Sequence, residues 1–343
     1  MQNLSCDILV LQFFPSITEV EDLRSTYITN CVFNILLCHT AVMMNIAAIY
    51  AIKKTSCLPK TLEILFLSLA ASDVGVGLLS QPFYTWLLVK GLSKAIPNCS
   101  TYMVFDAIIG MFTITSFLGV LAVSADRFLA IHLHLRYQEL VTHKRVVTSV
   151  VSLWLASVSV SVIVLWLSPH VKYLIMCVGG LVGLFLTTIA YSKIYLTVRR
   201  LKNDIEGGEV RQEAYNGEGA NFANVLKTTV GIFYVYVVFW ACYAPFFIST
   251  SSMIIYGRTT PLKGFFVWSL TLAYLNSTLN PVIYCWKMRH IRNAIMDTLR
   301  GICSVRNQGA SPQSLRAIRI ESVVNNTVAD KHTQCDKSLK PPA

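Results

Sequence analysis

The stretch "LNSTLNPVIYCW", Leu275 to Trp286, decides the fold of this chain. It closes a run, residues 264–286, that contains no Asp, Glu, Lys or Arg. Such a run is long enough to cross the roughly 30 Å hydrocarbon core of a bilayer as a helix. Two asparagines, a Ser-Thr pair and a proline are costly in a helix that faces lipid. We therefore expect these groups to face other helices and to find hydrogen-bond partners there.

The composition of the whole chain supports this membrane assignment. The mean hydropathy is +0.54, with 54% apolar and only 14% charged residues, which is too apolar for a soluble globular protein. Seven stretches of about 20 residues are nearly free of charge. These stretches are Tyr27–Ile52, Ile64–Val89, Ala107–Ala125, Val146–Leu167, Tyr173–Thr197, Thr228–Tyr256 and Gly264–Trp286. The predicted fold class is an all-α membrane protein, a seven-transmembrane helix bundle.

Lysine and arginine are distributed unevenly between the two sides of this predicted bundle. The side that holds the C-terminal tail carries about three times as many of them as the other side. This bias predicts an extracellular N-terminus (residues 1–26), a membrane domain (residues 27–286) and a cytosolic tail. The net charge of +11 is then explained by topology and by attraction to anionic lipid, so nucleic acid is not an expected partner.

Two segments after the last span have distinct patterns. Residues 287–303 place apolar side chains at helical spacing opposite basic ones, which predicts a short amphipathic cytosolic helix on the membrane surface. Cys303 at its end is a candidate palmitoylation site. Residues 304–343 are polar and poor in aromatic residues, which predicts a disordered cytosolic tail.

The outer segments carry candidate modification sites. Asn3 and Asn98 begin Asn-X-Ser sequons and are predicted glycosylation sites. Cys6 and Cys99 are the cysteines of the outer segments, and whether they form a disulfide is left open by their spacing.

Polar residues of four spans reach one depth in the membrane. Counting the helical rise from the nearest cytosolic charge places Asp73, Ser116 and Asn276 about 15 Å into the bilayer, with Asn45 and Asn280 slightly nearer the cytosol. The predicted network consists of Asn45, Asp73, Ser116, Asn276, Ser277 and Asn280. It is either a structural hydrogen-bond network or a sodium or proton site centred on Asp73. No other cofactor is expected.

Prolines interrupt the sixth and seventh spans. Pro281 removes one backbone hydrogen bond, and we expect Asn276 and Asn280 to bridge the freed carbonyl and to reach toward Asp73. Pro245 creates a comparable flexible point in the sixth span.

The inner end of the third span carries the adjacent charges Asp126 and Arg127 in "SADRF". They follow a charge-free run of spanning length, and Tyr191 and Tyr284 lie at the same inner end of the fifth and seventh spans. This placement favours a functional charge pair over a simple helix end.

Taken together, these residues resemble the signature set of the rhodopsin-like (class A) G-protein-coupled receptors over about Asn30 to Cys303. The matching features are Asn45, "SLAASD" ending at Asp73, "ADRF" with Asp126 and Arg127, Trp154, Tyr191 in "AYSKIY", "CYAP" from Cys242 to Pro245, and "NPVIY" from Asn280 to Tyr284. The resemblance implies a plasma-membrane receptor that binds an extracellular ligand and activates a heterotrimeric G protein. Arrestin, a receptor kinase and membrane lipid are further partners that it implies.

At several positions the chain departs from the family pattern, and these departures indicate which group of receptors within the family it resembles. The second outer loop is only about Ser168 to Lys172 and has no cysteine, Gly183 stands where a proline is usual, and Tyr243 stands where a tryptophan is usual. The short loop, the missing proline and "LRY" in the second inner loop are similar to melanocortin, adenosine and lysophospholipid receptors. Ile109 replaces the aspartate of monoamine receptors, which argues against a monoamine ligand.

The resemblance also assigns roles to individual residues. The implied ligand pocket consists of Asp106, Ile109, Thr113, Phe117, Phe239, Tyr243 and Phe247. The implied activation switch consists of Asp126, Arg127, Tyr191, Tyr243, Pro245, Pro281 and Tyr284, and Arg127 and Leu135 are the implied G-protein contacts. Val225 and Lys227 stand where an acid often restrains the arginine, which predicts signalling without ligand.

Other classes of seven-helix protein fit less well. A retinal pigment needs a lysine in the seventh span, and a membrane hydrolase needs clustered histidines and acids, neither of which occurs in these spans. The chain is therefore not expected to be an enzyme. The remaining alternative is a decoy or scavenger receptor that binds ligand without coupling to a G protein.

Overall fold

The structure, a computed structural model, describes residues 19–54, 58–95, 97–133, 136–206, 212–287, 292–293 and 296. Within these ranges, the side chains of residues 138, 169–170, 198 and 201–228 are not described. Asn3, Leu135, Cys303, the tail from residue 304 and most of the predicted helix 287–303 lie outside the described residues, as do the side chains of Val225 and Lys227.

The described chain forms seven long helices, as the sequence predicts. They are α1 (Glu19–Lys54), α2 (Lys60–Leu92), α3 (Cys99–Leu133), α4 (His143–Ile163), α5 (Pro169–Glu206), α6 (Gln212–Tyr256) and α7 (Thr260–Lys287). The segments within α1 to α6 are long and apolar enough to cross a membrane, and α7 completes the seven-transmembrane bundle. A short helix, Tyr137–Leu140, lies in the loop between α3 and α4.

Several helices extend beyond the charge-free spans. The first helix begins at Glu19 rather than near Tyr27, and acidic residues in its first turn favour the helix N-terminus. On the opposite side, the backbone of α5 stays helical to Glu206 and α6 begins at Gln212. Charge therefore marks where these helices leave the hydrocarbon, not where they end.

Helix α3 is the centre of the bundle. It contacts α2, α4, α5 and α6, while α7 packs between α6 and α1. Trp154 of α4 donates its indole N–H to Ser68 of α2 at 3.0 Å. Side chains on α3 are therefore in contact with four of the other six helices.

A π turn, Val76–Ser80, interrupts α2 just before Pro82. Proline lacks the N–H for the usual helical hydrogen bond, and a π turn accommodates this with a local change of helix phase. Ser80 at the end of the turn, and Gln81 and Tyr84 beyond it, are buried in the bundle.

The interior contains two apolar clusters with a polar layer between them. The cluster toward the inner end includes Leu69, Val120 and Tyr284, whereas the outer cluster includes Phe105 and Tyr274. Large apolar side chains such as Met43 (68% exposed) and Phe185 (65% exposed) lie on the outside of the bundle. Exposed apolar side chains of this kind are favourable in contact with lipid. The helices are then held together by close packing and by buried polar contacts.

Gly183 of α5 stands at the position where a proline is usual in the family, and its surroundings show why a residue without a side chain fits there. An ideal Cβ built on Gly183 would lie 2.3 Å from the Phe117 ring of α3, so this ring occupies the space of a side chain. Gly180, one turn earlier, faces Trp240 and Phe247 of α6. A Cβ at Gly180 would make only ordinary contacts with these rings, so it is Gly183 that lets an aromatic ring approach the α5 backbone.

We expect Gly183→Ala to lower the melting temperature of the purified protein, because the new methyl group collides with Phe117. Gly179→Ala in the same helix is the matched control, since a Cβ there meets nothing within 4 Å. It should raise stability by up to about 1 kcal/mol, because alanine favours helix over glycine. Thermal denaturation in detergent measures both changes. Equal melting temperatures for the two variants would contradict this account of Gly183.

Candidate functional site

The proline of α7 is compensated by a side chain from α1. Pro281 has no N–H to donate to the carbonyl of Ser277, four residues earlier. Asn45 Nδ2 donates to this Ser277 oxygen at 2.8 Å and to the carbonyl of Ala41 at 2.9 Å. The bridge predicted from Asn276 and Asn280 is therefore made by Asn45 instead, because α1 lies beside the kink.

Asn280 connects α7 to α2. Its Nδ2 donates to Oδ2 of Asp73 at 2.8 Å, and both residues are fully buried. Next to Asp73, the hydroxyl of Ser72 lies 3.3 Å from that of Ser116 on α3. The structure thus joins α1, α2, α3 and α7 through the predicted polar layer.

Several buried oxygens in this layer have no hydrogen-bond partner among the described residues. They are Oδ1 of Asn45, Asp73, Asn276 and Asn280. Buried polar atoms normally acquire a partner from protein, water or an ion. One carboxylate and several neutral oxygens form the type of ligand set that a hard cation such as sodium accepts. The residues present therefore fit a hydrated cation at Asp73.

A second polar site lies at the inner end of α3. Arg127 donates to Oδ2 of Asp126 from Nε at 3.0 Å and from Nη2 at 2.5 Å. The two side chains are only 2% and 4% exposed. The arginine is therefore buried with its charge compensated by its neighbour in sequence.

Tyr137 of the short loop helix completes this inner site. Its hydroxyl donates to Oδ1 of Asp126 at 2.7 Å and lies 3.0 Å from the hydroxyl of Thr61 on α2. Burial, and then the negative charge of Asp126, raise the pKa of Tyr137 to about 12. The phenol keeps its proton at physiological pH and remains a donor to the carboxylate.

The two switch tyrosines do not contact Arg127 by hydrogen bonds in this arrangement. The hydroxyl of Tyr191 lies 3.1 Å from that of Ser124 on α3, and its ring packs on Tyr236 of α6. Tyr284 packs on Phe66 of α2, and its hydroxyl has no hydrogen-bond partner among the described residues. Tyr191 therefore packs against α3 and Tyr284 against α2, and neither forms a hydrogen bond to the arginine.

Aromatic rings connect the middle of α3 to α6. Phe239 and Tyr243 stack with centroids 4.4 Å apart, and Phe117 lies 6.0 Å from Phe239. Phe247 joins through Trp240, with centroids 6.3 Å apart. The Thr113 side chain lies close to the Tyr243 side chain. Four of the predicted pocket residues therefore form one cluster, which lies next to Pro245 within α6.

The other predicted pocket residues lie further out on α3. Ile109 packs against the outer apolar cluster. The carboxylate of Asp106 accepts from the ammonium of Lys172, which is near the start of α5. The sequence indicated Asp106 as a ligand contact but not this lysine.

The outer ends of α1, α3 and α7 are also held by polar contacts. Lys263 of α7 donates to Glu19 of α1 at 2.7 Å. Asn98 accepts from the backbone N–H of Thr101 at 3.1 Å, as the N-cap of α3. Asn98 remains exposed, and Cys99 is disulfide-bonded. The partner of Cys99 is not one of the five described free cysteines, and glycosylation of Asn98 stays a prediction.

Sequence reasoning missed a contact between α6 and α7. The ammonium of Lys287 lies 3.6 Å from the ring centroid of Trp286 and 3.9 Å from that of Tyr234 on α6. Cation–π contacts of this kind stabilise by about 0.5–2 kcal/mol. A lysine directly after Trp286 at a helix end was the available signal, but the sequence does not show that α6 supplies the second ring.

Comparison with known proteins identifies a family that matches this chain over most of its membrane region. The family "7 transmembrane receptor (rhodopsin family)" matches residues 44–173 and 166–284. The adenosine receptor A3 of Ovis aries is 23% identical over 308 residues, which cover 82% of this chain and 92% of that receptor. The histamine H2 receptor of Canis lupus familiaris is 27% identical over 298 residues, which cover 80% and 79%.

The hydrogen bond between Asn45 and Ser277 makes a testable prediction about stability. Asn45→Ala should lower the free energy of unfolding by about 1–3 kcal/mol, because it leaves a buried carbonyl unsatisfied. In a Pro281→Ala background the helix supplies its own N–H to Ser277, and the same substitution should cost much less. Thermal denaturation of the four proteins in this double-mutant cycle measures the coupling. An Asn45→Ala penalty that is equal in both backgrounds would contradict the compensation.

Proposed function

The chain belongs to the rhodopsin family of seven-transmembrane receptors, and we propose that it binds an extracellular ligand and in response activates a heterotrimeric G protein. The observation that carries this proposal is the buried Asp126–Arg127 pair at the inner end of α3, with Tyr191 close to Ser124 of the same helix. The family consists of receptors. Membership in this family implies an extracellular ligand and a G protein as partners.

Activation requires that the Arg127 guanidinium exchange one partner for another. In the present arrangement Asp126 compensates its charge and Tyr137 binds the remaining carboxylate oxygen. Burial of an ion pair gains little net free energy, because desolvation offsets most of the attraction. A modest rearrangement that brings Tyr191 and Tyr284 to Arg127 can therefore compete with the closed pair.

The two prolines provide the route for this rearrangement. Pro245 and Pro281 lie inside α6 and α7, where each removes a helical hydrogen bond. Bending α6 at Pro245 would open the inner side of the bundle and expose Arg127 to the G protein. The ring cluster of Phe117, Phe239 and Tyr243 lies beside this proline and would transmit a ligand contact to it.

The ligand site proposed from the sequence remains on the outward side of this ring cluster. A ligand bound there changes the equilibrium between the arrangement with Arg127 paired to Asp126 and the arrangement with Arg127 exposed. The size of this change is set by the difference between the ligand's affinities for the two arrangements. The relatives are named for adenosine and histamine, two ligands of unlike chemistry. Their names therefore do not select the ligand of this chain.

We assign the unpartnered oxygens around Asp73 to a sodium ion. Asp73 would supply the charge, and Asn45, Asn276 and Asn280 neutral oxygens. When bound, the ion neutralises the buried carboxylate and favours the arrangement in which the polar layer is open enough to hold it. Asn280 holds Asp73 from α7, so movement of α7 during activation changes the site.

The proposal also covers cellular placement and modification. The distribution of Lys and Arg supports a plasma-membrane protein with its N-terminus outside. Glycans at Asn3 and Asn98, a palmitate at Cys303, and partners that include arrestin and a receptor kinase belong to the same proposal.

The alternative, a decoy that binds ligand without coupling, is separated by one substitution. We expect the unmodified chain to activate a G-protein reporter without ligand, and Arg127→Ala at equal surface expression to reduce this signal to that of cells without receptor. Arg136→Ala is the matched control, because Arg136 is an exposed arginine in the inner loop that follows α3. A decoy would show no signal and no difference among the three chains.

The sodium assignment predicts a salt effect that depends on Asp73. Replacing sodium by N-methylglucamine at constant ionic strength should raise ligand-free signalling of the unmodified chain. Asp73→Ala should abolish this response, because the site loses its only carboxylate. Ser116→Ala, which removes a hydroxyl of the same layer and keeps the charge, should retain the response at least in part. A sodium response that survives Asp73→Ala would show that the layer is only structural.

A further inference from the structure

Lys172 and Asp106 form an ion pair at the outer end of the bundle, between α5 and α3. The ammonium of Lys172 donates to Oδ2 of Asp106, and the side chains are only 10% and 12% exposed. The ammonium also lies 5.7 Å from the ring centroid of Tyr173, which is itself buried. The pair is therefore largely removed from water and lies against an aromatic ring.

The position of the pair places it at the mouth of the proposed ligand pocket. Asp106 lies on the same face of α3 as Ile109, Thr113 and Phe117, which follow at helical spacing. Thr113 in turn lies close to Tyr243 of α6. A ligand that descends along this face meets Asp106 and Lys172 first.

The other nearly buried outer pair, Glu19 with Lys263, has a different role. Thr260 also donates to Glu19, at 3.0 Å, so that carboxylate is bound by two groups of α7. It joins the ends of α1 and α7. Asp106 and Lys172 instead connect helices that border the proposed pocket, and their single contact can be exchanged for contacts with a ligand.

Charge compensation restricts which ligand can open this pair. A ligand with only a cationic group could bind Asp106, but it would leave the buried Lys172 ammonium without its counter-charge. A ligand with only an anionic group would leave Asp106 in the same condition. Removing one member of a buried ion pair is strongly unfavourable, because the other charge stays desolvated. A molecule that carries both charges replaces one internal pair by two intermolecular pairs.

We propose that the ligand is a small zwitterion, with an ammonium group that binds Asp106 and a carboxylate or other anionic group that binds Lys172. This inference rests on the proposed function, since it concerns the ligand of the same pocket. It makes Lys172 a determinant of specificity that the sequence pattern did not indicate. It also accounts for Ile109 one turn deeper, where a second carboxylate would disturb the balance of charge.

The test is a thermal denaturation series on the full purified chain with small probes. Glycine, β-alanine and γ-aminobutyrate are the zwitterions; ethylamine, propylamine, acetate, propionate and butyrate are the matched single charges. The proposal expects at least one zwitterion to raise the melting temperature by about 2 °C or more. The matched amines and carboxylates should require at least about tenfold higher concentration for the same rise.

Single neutralisations should invert this selectivity. Lys172→Met leaves the Asp106 carboxylate uncompensated, so the amines should now stabilise best. Asp106→Asn leaves the Lys172 ammonium uncompensated, so the carboxylates should stabilise best. Lys90→Met, which removes an outer lysine that lies over Trp86, should keep the preference for zwitterions. If a single variant does not purify, Asp106→Lys combined with Lys172→Asp restores a pair and must keep the same preference.

Three results would overturn the inference. The first is a single-charge probe that stabilises the unmodified chain as well as the zwitterions do. The second is an unchanged selectivity in both single variants, and the third is a series in which no zwitterion stabilises the unmodified chain. A G-protein reporter separates this from failure of the proposed function. Zwitterion binding without Arg127-dependent signalling would refute the receptor function alone, whereas signalling without zwitterion selectivity would refute this inference alone.

Discussion

A single hydrogen bond, from the Asn45 amide to the carbonyl of Ser277, allows the seventh helix to exist in the form it has. Because proline has no N–H, the carbonyl four residues before it lacks its helical hydrogen-bond donor. Inside the membrane no bulk water can replace this donor, so leaving the carbonyl unpaired has a large free-energy cost. The bond from α1 removes that cost. With the kink satisfied, Asn280 can donate to Asp73 on α2. The position of α7 between its neighbours thus depends on one side chain of another helix.

This constraint shapes the energetics of the whole interior. The polar layer lies between two apolar clusters, and its carboxylate and amide groups are held by side chains from several helices. Contacts among polar side chains in a membrane interior are worth only about 0.6 kcal/mol on average. A layer built from such contacts can be rearranged without unfolding the clusters on either side. A second bundle arrangement of similar free energy, which the proposed function requires, is compatible with such a layer.

Helix α3 carries charged groups near both of its ends. Asp106 is paired with Lys172 at the outer end, and Asp126 is paired with Arg127 at the inner end. At about 1.5 Å per residue, the two sites are about 30 Å apart. Between them lie Phe117, which contacts α6, and Ser116, which contacts α2. A ligand that separates Asp106 from Lys172 at the outer end therefore acts on the same helix that carries Asp126 and Arg127 at its inner end. The proposed signalling mechanism requires this link between the two ends of α3.

Hydropathy and helical spacing predicted the seven helices, and they placed Asp73 and Asn280 in one polar layer and Asp126 beside Arg127 at the inner end of α3. These properties depend on the order of residues along one helix, which is why a single sequence contains them. The tertiary structure alone decided that Asn45 satisfies Ser277, that Tyr137 binds Asp126, that Lys172 binds Asp106 and that Gly183 admits the Phe117 ring. Each of these contacts depends on the relative rotation and depth of two helices. That geometry arises from the packing of all seven, and no spacing within one segment encodes it.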